Sequence, residues 1–259
     1  MTAPGLRDLA EDAYAYLPVQ QHVRRLEFQD HVLRSTPVNI PEGVAVLRIR
    51  STDAGLPALL EKTRAWVREN DRVGALWWTG PSSTPTDLGE RLQAEGLRPY
   101  EADPVFAGMT YEGEPPEVDG VEVRAVETPA DVEVFLDVAQ QGWGVPDEVD
   151  AQMRASVRQN WPLRDPTLDT LWVAFVDGAP VGNAISQYVG DALYLGGSTV
   201  VPESRGRGVY RALLRRRWED ARQHGAKAMV IQAGALSRPV VERIGFEHVC
   251  DVRVYVDLV

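Results

Sequence analysis

The segment Ser198–Leu214, S-T-V-V-P-E-S-R-G-R-G-V-Y-R-A-L-L, is where chemistry is most legible. An apolar run ends at Pro202. Gly206 and Gly208 follow in a short loop, and a helical pattern starts at once. Glycine lets a backbone turn tightly and approach a ligand without a Cβ in the way. The N–H groups of a helix's first turn have no acceptor inside the helix, and with the helix dipole they form an anion site. From Glu203 to Arg222 seven arginines (Arg205, Arg207, Arg211, Arg215, Arg216, Arg217, Arg222) stand against three acids (Glu203, Glu219, Asp220). That local excess of positive charge lies in a chain of net charge −11, and arginine is well matched to phosphate oxygens. A solvated helix face after a glycine turn would show the same residues, so charge and glycines alone leave both readings open. The loop lacks the G-K-[ST] of a Walker A motif and the G-x-G-x-x-G of a dinucleotide fingerprint.

Other chemistries find less support. The single cysteine, Cys250, cannot form an internal disulfide, lies in a strand-like stretch and reads as a buried small hydrophobe. The four histidines show no ligand spacing, so no metal site is expected. The acidic balance repels nucleic acid and suits cationic small substrates. No apolar run approaches the ~18 residues of a membrane helix. The first residues carry early acids without a basic region leading into an apolar run, which does not read as a signal peptide, and the expected location is the cytoplasm.

The elements that must position the loop divide into two halves. The acidic, proline-bearing stretch Glu112–Gly120 reads as a linker, giving expected domains 1–115 and 120–259. In the first half, Asp8–Arg34 reads as mostly helical with a break at Pro18. Strands are expected at Val44–Ile49, Gly74–Thr79 and Val105–Tyr111, with helices at Pro57–Glu69 and Thr86–Glu95 and a left-handed cap at Gly96. The second half reads β-α-α-β-β-β-α-β-α-β. Its strand Val121–Val126 is followed by a helix that Thr128 and Asp131 cap, then a helix over Glu148–Asn160. Asp177-Gly178 turns a hairpin between Leu171–Val176 and Val181–Tyr188, and Ala192–Val201 is the next strand. The helix Gly208–His224, strand Ala228–Gln232, a short helix ending before Gly245-Phe246 and a last strand to Val256 complete it. The closing segments of the two halves are faintly alike, as two related α+β units would be, or as two amphipathic helices are by chance.

The loop Arg205-Gly206-Arg207-Gly208-Val209-Tyr210 resembles the coenzyme A pyrophosphate loop of the GNAT superfamily, Q/R-x-x-G-x-G/A, preceded by a strand ending V-x-P. Tyr210 departs from the Gly or Ala usual at the sixth position. The element order and the downstream I-Q-A and P-V-V-E-R-I-G-F fit that superfamily too, and the resemblance spans roughly residues 120–259. It implies an α+β GNAT fold, a mixed and largely antiparallel sheet flanked by helices, preceded by a smaller degenerate GNAT-like α+β domain. It also implies acetyl-CoA as co-substrate, with the pantetheine arm on the fourth strand at Ser198, Thr199 and Val200. The pyrophosphate would lie on the amides of Gly206, Arg207, Gly208, Val209, Tyr210 and Arg211, next to Arg205.

The reaction so implied is acetyl transfer to an amine of a small molecule or peptide. Its fourth strand carries no acid at the usual place for a base. Tyr194 and Ser198, which share a face with Gly196 by the period-2 rule, are the candidates for a catalytic water relay. Trp143, Asp147 and Glu148 fall in the substrate-binding region by resemblance. The helix tyrosine that usually acts as general acid is replaced by Val241, and the usual asparagine by Gly234. Those two departures favour an alternative, a catalytically silent acyl-CoA-binding sensor or scaffold protein.

Overall fold

The computed structural model describes residues 4–259. They form two compact units. The first comprises Arg7–Met109, Gln232–Arg243 and Glu247–Val259; the second comprises Thr110–Ile231 and Ile244–Phe246 with the described start of the chain up to Leu6. The change of unit near Thr110 lies close to the expected linker. The last helix and the last strand, expected within 120–259, group with the first unit instead.

The first unit contains α1 (Leu6–Tyr16), β1 (Arg24–Glu27), β2 (Val32–Ser35), β3 (Val44–Leu47), α2 (Leu56–Glu69), β4 (Gly74–Thr79), α3 (Leu88–Ala94), β5 (Arg98–Pro99) and most of β6 (Val105–Tyr111). The expected helix over Asp8–Arg34 ends at Tyr16, and Arg24–Glu27 pairs with Val32–Ser35 as an antiparallel hairpin. Arg, Leu and Glu are good helix formers, and ladder pairing overrides that preference here. Gly96 takes the expected left-handed conformation after α3 (φ 94°). The core gathers Val46, Ile49, Leu59, Leu60, Val67, Trp77 and Leu92.

The second unit opens with β7 (Glu122–Ala125), α4 (Pro129–Trp143) and α5 (Asp147–Asn160). Then come β8 (Asp169–Val176), β9 (Ala179–Val189), β10 (Ala192–Val200), α6 (Val209–Gln223) and β11 (Ala228–Ala233). The chain closes with α7 (Arg238–Ile244) and β12 (Glu247–Leu258). β12 runs antiparallel to β4 in the first unit, whose strand order is β1-β2-β3-β4-β12-β6.

The second unit's sheet has the order β11-β10-β9-β8-β7, antiparallel except for the β10–β11 pair. The capping box at α4 is complete: Asp131 N–H donates to Thr128 Oγ1 (3.2 Å) and Thr128 N–H to the Asp131 carboxylate (2.8 Å). Asp177 and Gly178, both at positive φ, turn the β8–β9 hairpin. Alternation along β8 fills both faces of the sheet. Leu171 and Val173 join Phe135 and Leu136 of α4, whereas Trp172 and Ala174 join Val209 and Leu213 of α6. Each fully buried aliphatic side chain of this kind contributes about 1.5–3 kcal/mol. Gly182 lets α6 dock closely, since a Cβ there would lie 2.7 Å from Val209 Cγ1.

Candidate active site

Three backbone features of the second unit converge along β10. First, the parallel ladder with β11 runs only from Ala192↔Ala228 to Tyr194↔Val230, while β10 continues to Val200. The Leu195–Val200 edge on that side has no strand partner among the described residues. Unpaired strand N–H and C=O groups are ready to pair with an extended ligand. Second, the ladder with β9 steps from Gly196↔Ile185 to Thr199↔Asn183, so Gly197 and Ser198 form a bulge. Third, β10 leads through Val201 and Pro202 into the glycine loop and α6.

In that loop Gly206 and Gly208 are both left-handed (φ 79° and 85°), and Gly208 is the N-cap of α6 without any side-chain cap. No hydrogen-bond acceptor is found for the N–H groups of Gly206 to Arg211 among the described residues, whereas Ala212 N–H already bonds to Gly208 O. Successive free amides at a helix N-terminus make a concave anion site. The Arg211 guanidinium lies beside Gly208, with Nη2 3.6 Å from the position of an added Cβ. Arg205 braces the loop, donating to Val200 O and Gly142 O (both 3.2 Å).

The arginine excess read from the sequence is mostly spent elsewhere. Arg207 pairs with Asp177 (3.6 Å), Arg215 with Glu114, Glu117 and Glu219, and Arg216 stacks over Trp172. Arg217 is buried under the sheet at 1% exposure. The groups left to meet an anion at this turn are therefore backbone amides and the nearby Arg211 rather than a cationic helix face.

The bulge also corrects the expectation that Tyr194 and Ser198 share a face. Cross-strand partners lie on the same side of a sheet. Leu195 pairs with Ser186, whose Oγ accepts from Arg217 of α6, so Tyr194 and its partner Gln187 lie on the opposite, α4 side. The extra residue turns Ser198 back to the α6 side. There its Oγ accepts from Arg217 Nη1 (2.9 Å) and donates to Gly196 O (3.1 Å). Thr199 and Val200 are partly engaged too: Thr199 N–H donates to Asn183 Oδ1 (3.3 Å), and Val200 O accepts from Arg205.

Sequence reasoning missed Asn183. It is fully buried and spans from Thr199 to α4, with its amide donating to Phe135 O (3.0 Å). A polar residue within the otherwise apolar run Val181–Ile185 was the signal. Gly142 also went unread in the sequence. Any Cβ on it would collide with the Thr199 side chain, so glycine is what lets the last turn of α4 sit on β10.

Trp143 is partly exposed, and its ring edge would be 3.5 Å from a Cβ on Gly197, directly over the bulge. Gly144 ends α4 in a left-handed cap, and Asp147 and Glu148 are exposed at the start of α5. Asp147 accepts from Gln140 (3.5 Å). Tyr210 sits in the first turn of α6 with a half-buried ring. Its hydroxyl is buried without a hydrogen-bond partner, and burial raises its pKa above the usual tyrosine value. Val241 is buried, and Gly234 has no room for a side chain against the Asp103 carboxylate. No group of three or more His, Cys, Asp or Glu among the described residues could hold a metal. No helix among them is long and apolar enough to cross a membrane.

A sheet parting beside a bulged strand, followed by a free-amide loop at a helix start, is the arrangement that the sequence resemblance implied. Residues 135–246, somewhat under half of the chain, match the family model described as the acetyltransferase (GNAT) family.

Solved structures agree on the fold. A GCN5-related N-acetyltransferase from Kribbella flavida is 16% identical, with a TM-score of 0.71 over 99% of this chain and 96% of that one. A tandem GNAT protein from the clavulanic acid biosynthesis pathway is also 16% identical, with a TM-score of 0.63 over 100% of this chain and 89% of the other. A GCN5-related N-acetyltransferase from Sphaerobacter thermophilus is 19% identical, with a TM-score of 0.62 over 90% and 82%. No curated protein matches the sequence.

Proposed function

We propose that the second unit transfers an acetyl group from acetyl-CoA to an amine of a small molecule or a peptide. The observation that carries this reading is the run of free N–H groups from Gly206 to Arg211 beside the unpaired edge of β10. The amides and Arg211 would hold the pyrophosphate, and the pantetheine arm would lie along Leu195–Val200. Its polar contacts would use the backbone groups not already taken by Asn183 and Arg205. The thioester carbon would then rest near the Gly197–Ser198 bulge, where backbone N–H groups can polarise its carbonyl.

A free amine attacks that carbon, the oxygen gains charge, and the C–S bond breaks as the carbonyl re-forms. The proton lost from nitrogen leaves to solvent, and the thiolate takes one from water. Tyr194, on the α4 side of β10, is the residue of the pair Tyr194 and Ser198 proposed to order a relay water. Ser198, tied to Arg217 and Gly196, supports the bulge. Trp143 would wall the acceptor side, while Asp147 and Glu148 favour a cationic amine.

The silent acyl-CoA-binding reading draws on one observation: Val241 and Gly234 supply no proton donor. One experiment separates the two. Acetyl-CoA at 100-fold over its Kd adds about 2.7 kcal/mol of stability, read as a rise in Tm, and a free-thiol assay over a panel of amines reads turnover. Acetyl transfer predicts both signals. A Tm rise with no thiol release from any amine would select the silent reading, and no rise would sink both.

A further inference from the structure

Arg217 is a buried cation for which no carboxylate partner is found among the described residues. Its guanidinium donates to Ser198 Oγ (2.9 Å), Ser186 Oγ (3.3 Å), Gly196 O (3.4 Å) and Ile185 O. Those acceptors straddle the bulge: Gly196 and Ser198 bracket Gly197 on β10, and Ile185 and Ser186 lie opposite on β9. The titratable groups that face it are tyrosines, with one carboxylate behind them. Tyr188, Tyr194 and Tyr210 lie close enough to favour its charge, and Asp220 reaches it only through Tyr188, whose hydroxyl bonds to that carboxylate. Burial pulls the Arg217 pKa down to about 10, which leaves it protonated at neutral pH.

Stability is a poor reason for such a residue. Buried charges are costly to desolvate, and a well-packed hydrophobe in their place is often neutral or stabilising. Residue 217 also falls on the apolar stripe of α6, with Leu213, Trp218 and Ala221. What the cation does that leucine or methionine cannot is grip two strand carbonyls. A charge-assisted hydrogen bond to a carbonyl polarises its whole peptide unit. For Gly196 O, that unit ends in the N–H of Gly197.

We propose that Arg217 is a positioning residue for acyl transfer: it locks the Gly197–Ser198 bulge and strengthens the amide dipoles against which the thioester oxygen lies. This rests on the acetyl-transfer reading above. Arg217 itself touches no substrate; it acts through the strand.

The test compares wild type with Arg217→Met and Arg217→Lys. The expected result is a kcat at least ~10-fold lower in Arg217→Met, below the ~10²–10³ of deleting a direct oxyanion donor, with KM for acetyl-CoA within about 3-fold. Arg217→Lys, which keeps the charge without the fork, falls between. Infrared difference spectra of bound acetyl-CoA labelled with ¹³C at the carbonyl read the polarisation itself: the stretch moves to lower frequency in wild type and back towards the free value in Arg217→Met. An equal stretch in the two proteins, or an unchanged kcat, overturns the role of Arg217 and leaves acetyl transfer standing. If Arg217→Met does not fold, Arg217→Lys decides by the same two readouts. A wild type that binds no acetyl-CoA overturns the transfer reading, and this inference with it.

Discussion

Replacing Gly208 by alanine tests the anion site with a built-in control at Gly206. Both glycines are left-handed, where an L-residue costs roughly 1–2 kcal/mol. At Gly206 a Cβ meets nothing within 4 Å, so Gly206→Ala should show that strain alone. At Gly208 the Cβ would lie 2.8 Å from Val118 Cγ1, a methyl at the end of a half-buried side chain, adding about 1 kcal/mol of overpacking. At about 2–4 °C per kcal/mol for a chain of this size, Gly206→Ala should lower Tm by roughly 2–8 °C and Gly208→Ala by a few degrees more. Binding should separate the pair further. Relief of strain at the N-cap turns the first amides of α6 away, and each hydrogen bond to a charged acceptor is worth about 1.5–3 kcal/mol. Isothermal titration with acetyl-CoA should therefore show Gly208→Ala weaker by a factor between ~10 and ~150. An affinity within twofold of wild type, in a folded Gly208→Ala protein, would refute the placement of the pyrophosphate on this turn.

Three further outcomes are expected. Tyr210→Phe removes a buried hydroxyl without a partner and should raise stability by about 1 kcal/mol in the ligand-free protein; a lower melting temperature would mean that the hydroxyl is bonded. Asn183→Ala leaves the Thr199 N–H without its acceptor and should cost about 1–3 kcal/mol in urea unfolding, with a loss under ~0.5 kcal/mol counting against its bracing role. Thr128→Ala should cost about 1 kcal/mol at pH 7. The Thr128 hydroxyl and amide hold the Asp131 pKa below the usual range, so the cap's full contribution is present above the unfolded value near ~3.9 and fades as pH falls through the folded one. The penalty should shrink below pH ~4, and a penalty constant from pH 7 to pH 3 would contradict the linkage.

What the sequence revealed was local. The glycines around Arg207, the Asp177-Gly178 turn and the Thr128–Asp131 box each fix a few dihedrals through neighbours in the chain, and each appears where its pattern placed it. What stayed hidden depends on partners far away. The alternation of Glu247–Leu258 marks a strand but does not name β4 as its neighbour. The period-2 rule put Tyr194 and Ser198 on one face because a bulge leaves no residue signature beyond the pair Gly196-Gly197, which pattern alone reads as ordinary strand. Arg217 was counted among the loop's charges, although its place on the apolar stripe of α6 was visible and should have marked it as buried.

The central claim is that free amides from Gly206 to Arg211 grip a diphosphate. A crystal structure of the protein with coenzyme A tests it most directly. The account predicts pyrophosphate oxygens within ~3 Å of those nitrogens and the pantetheine arm along Leu195–Val200. Phosphates bound elsewhere, or the Tyr210 ring occupying the arm's path, would contradict it.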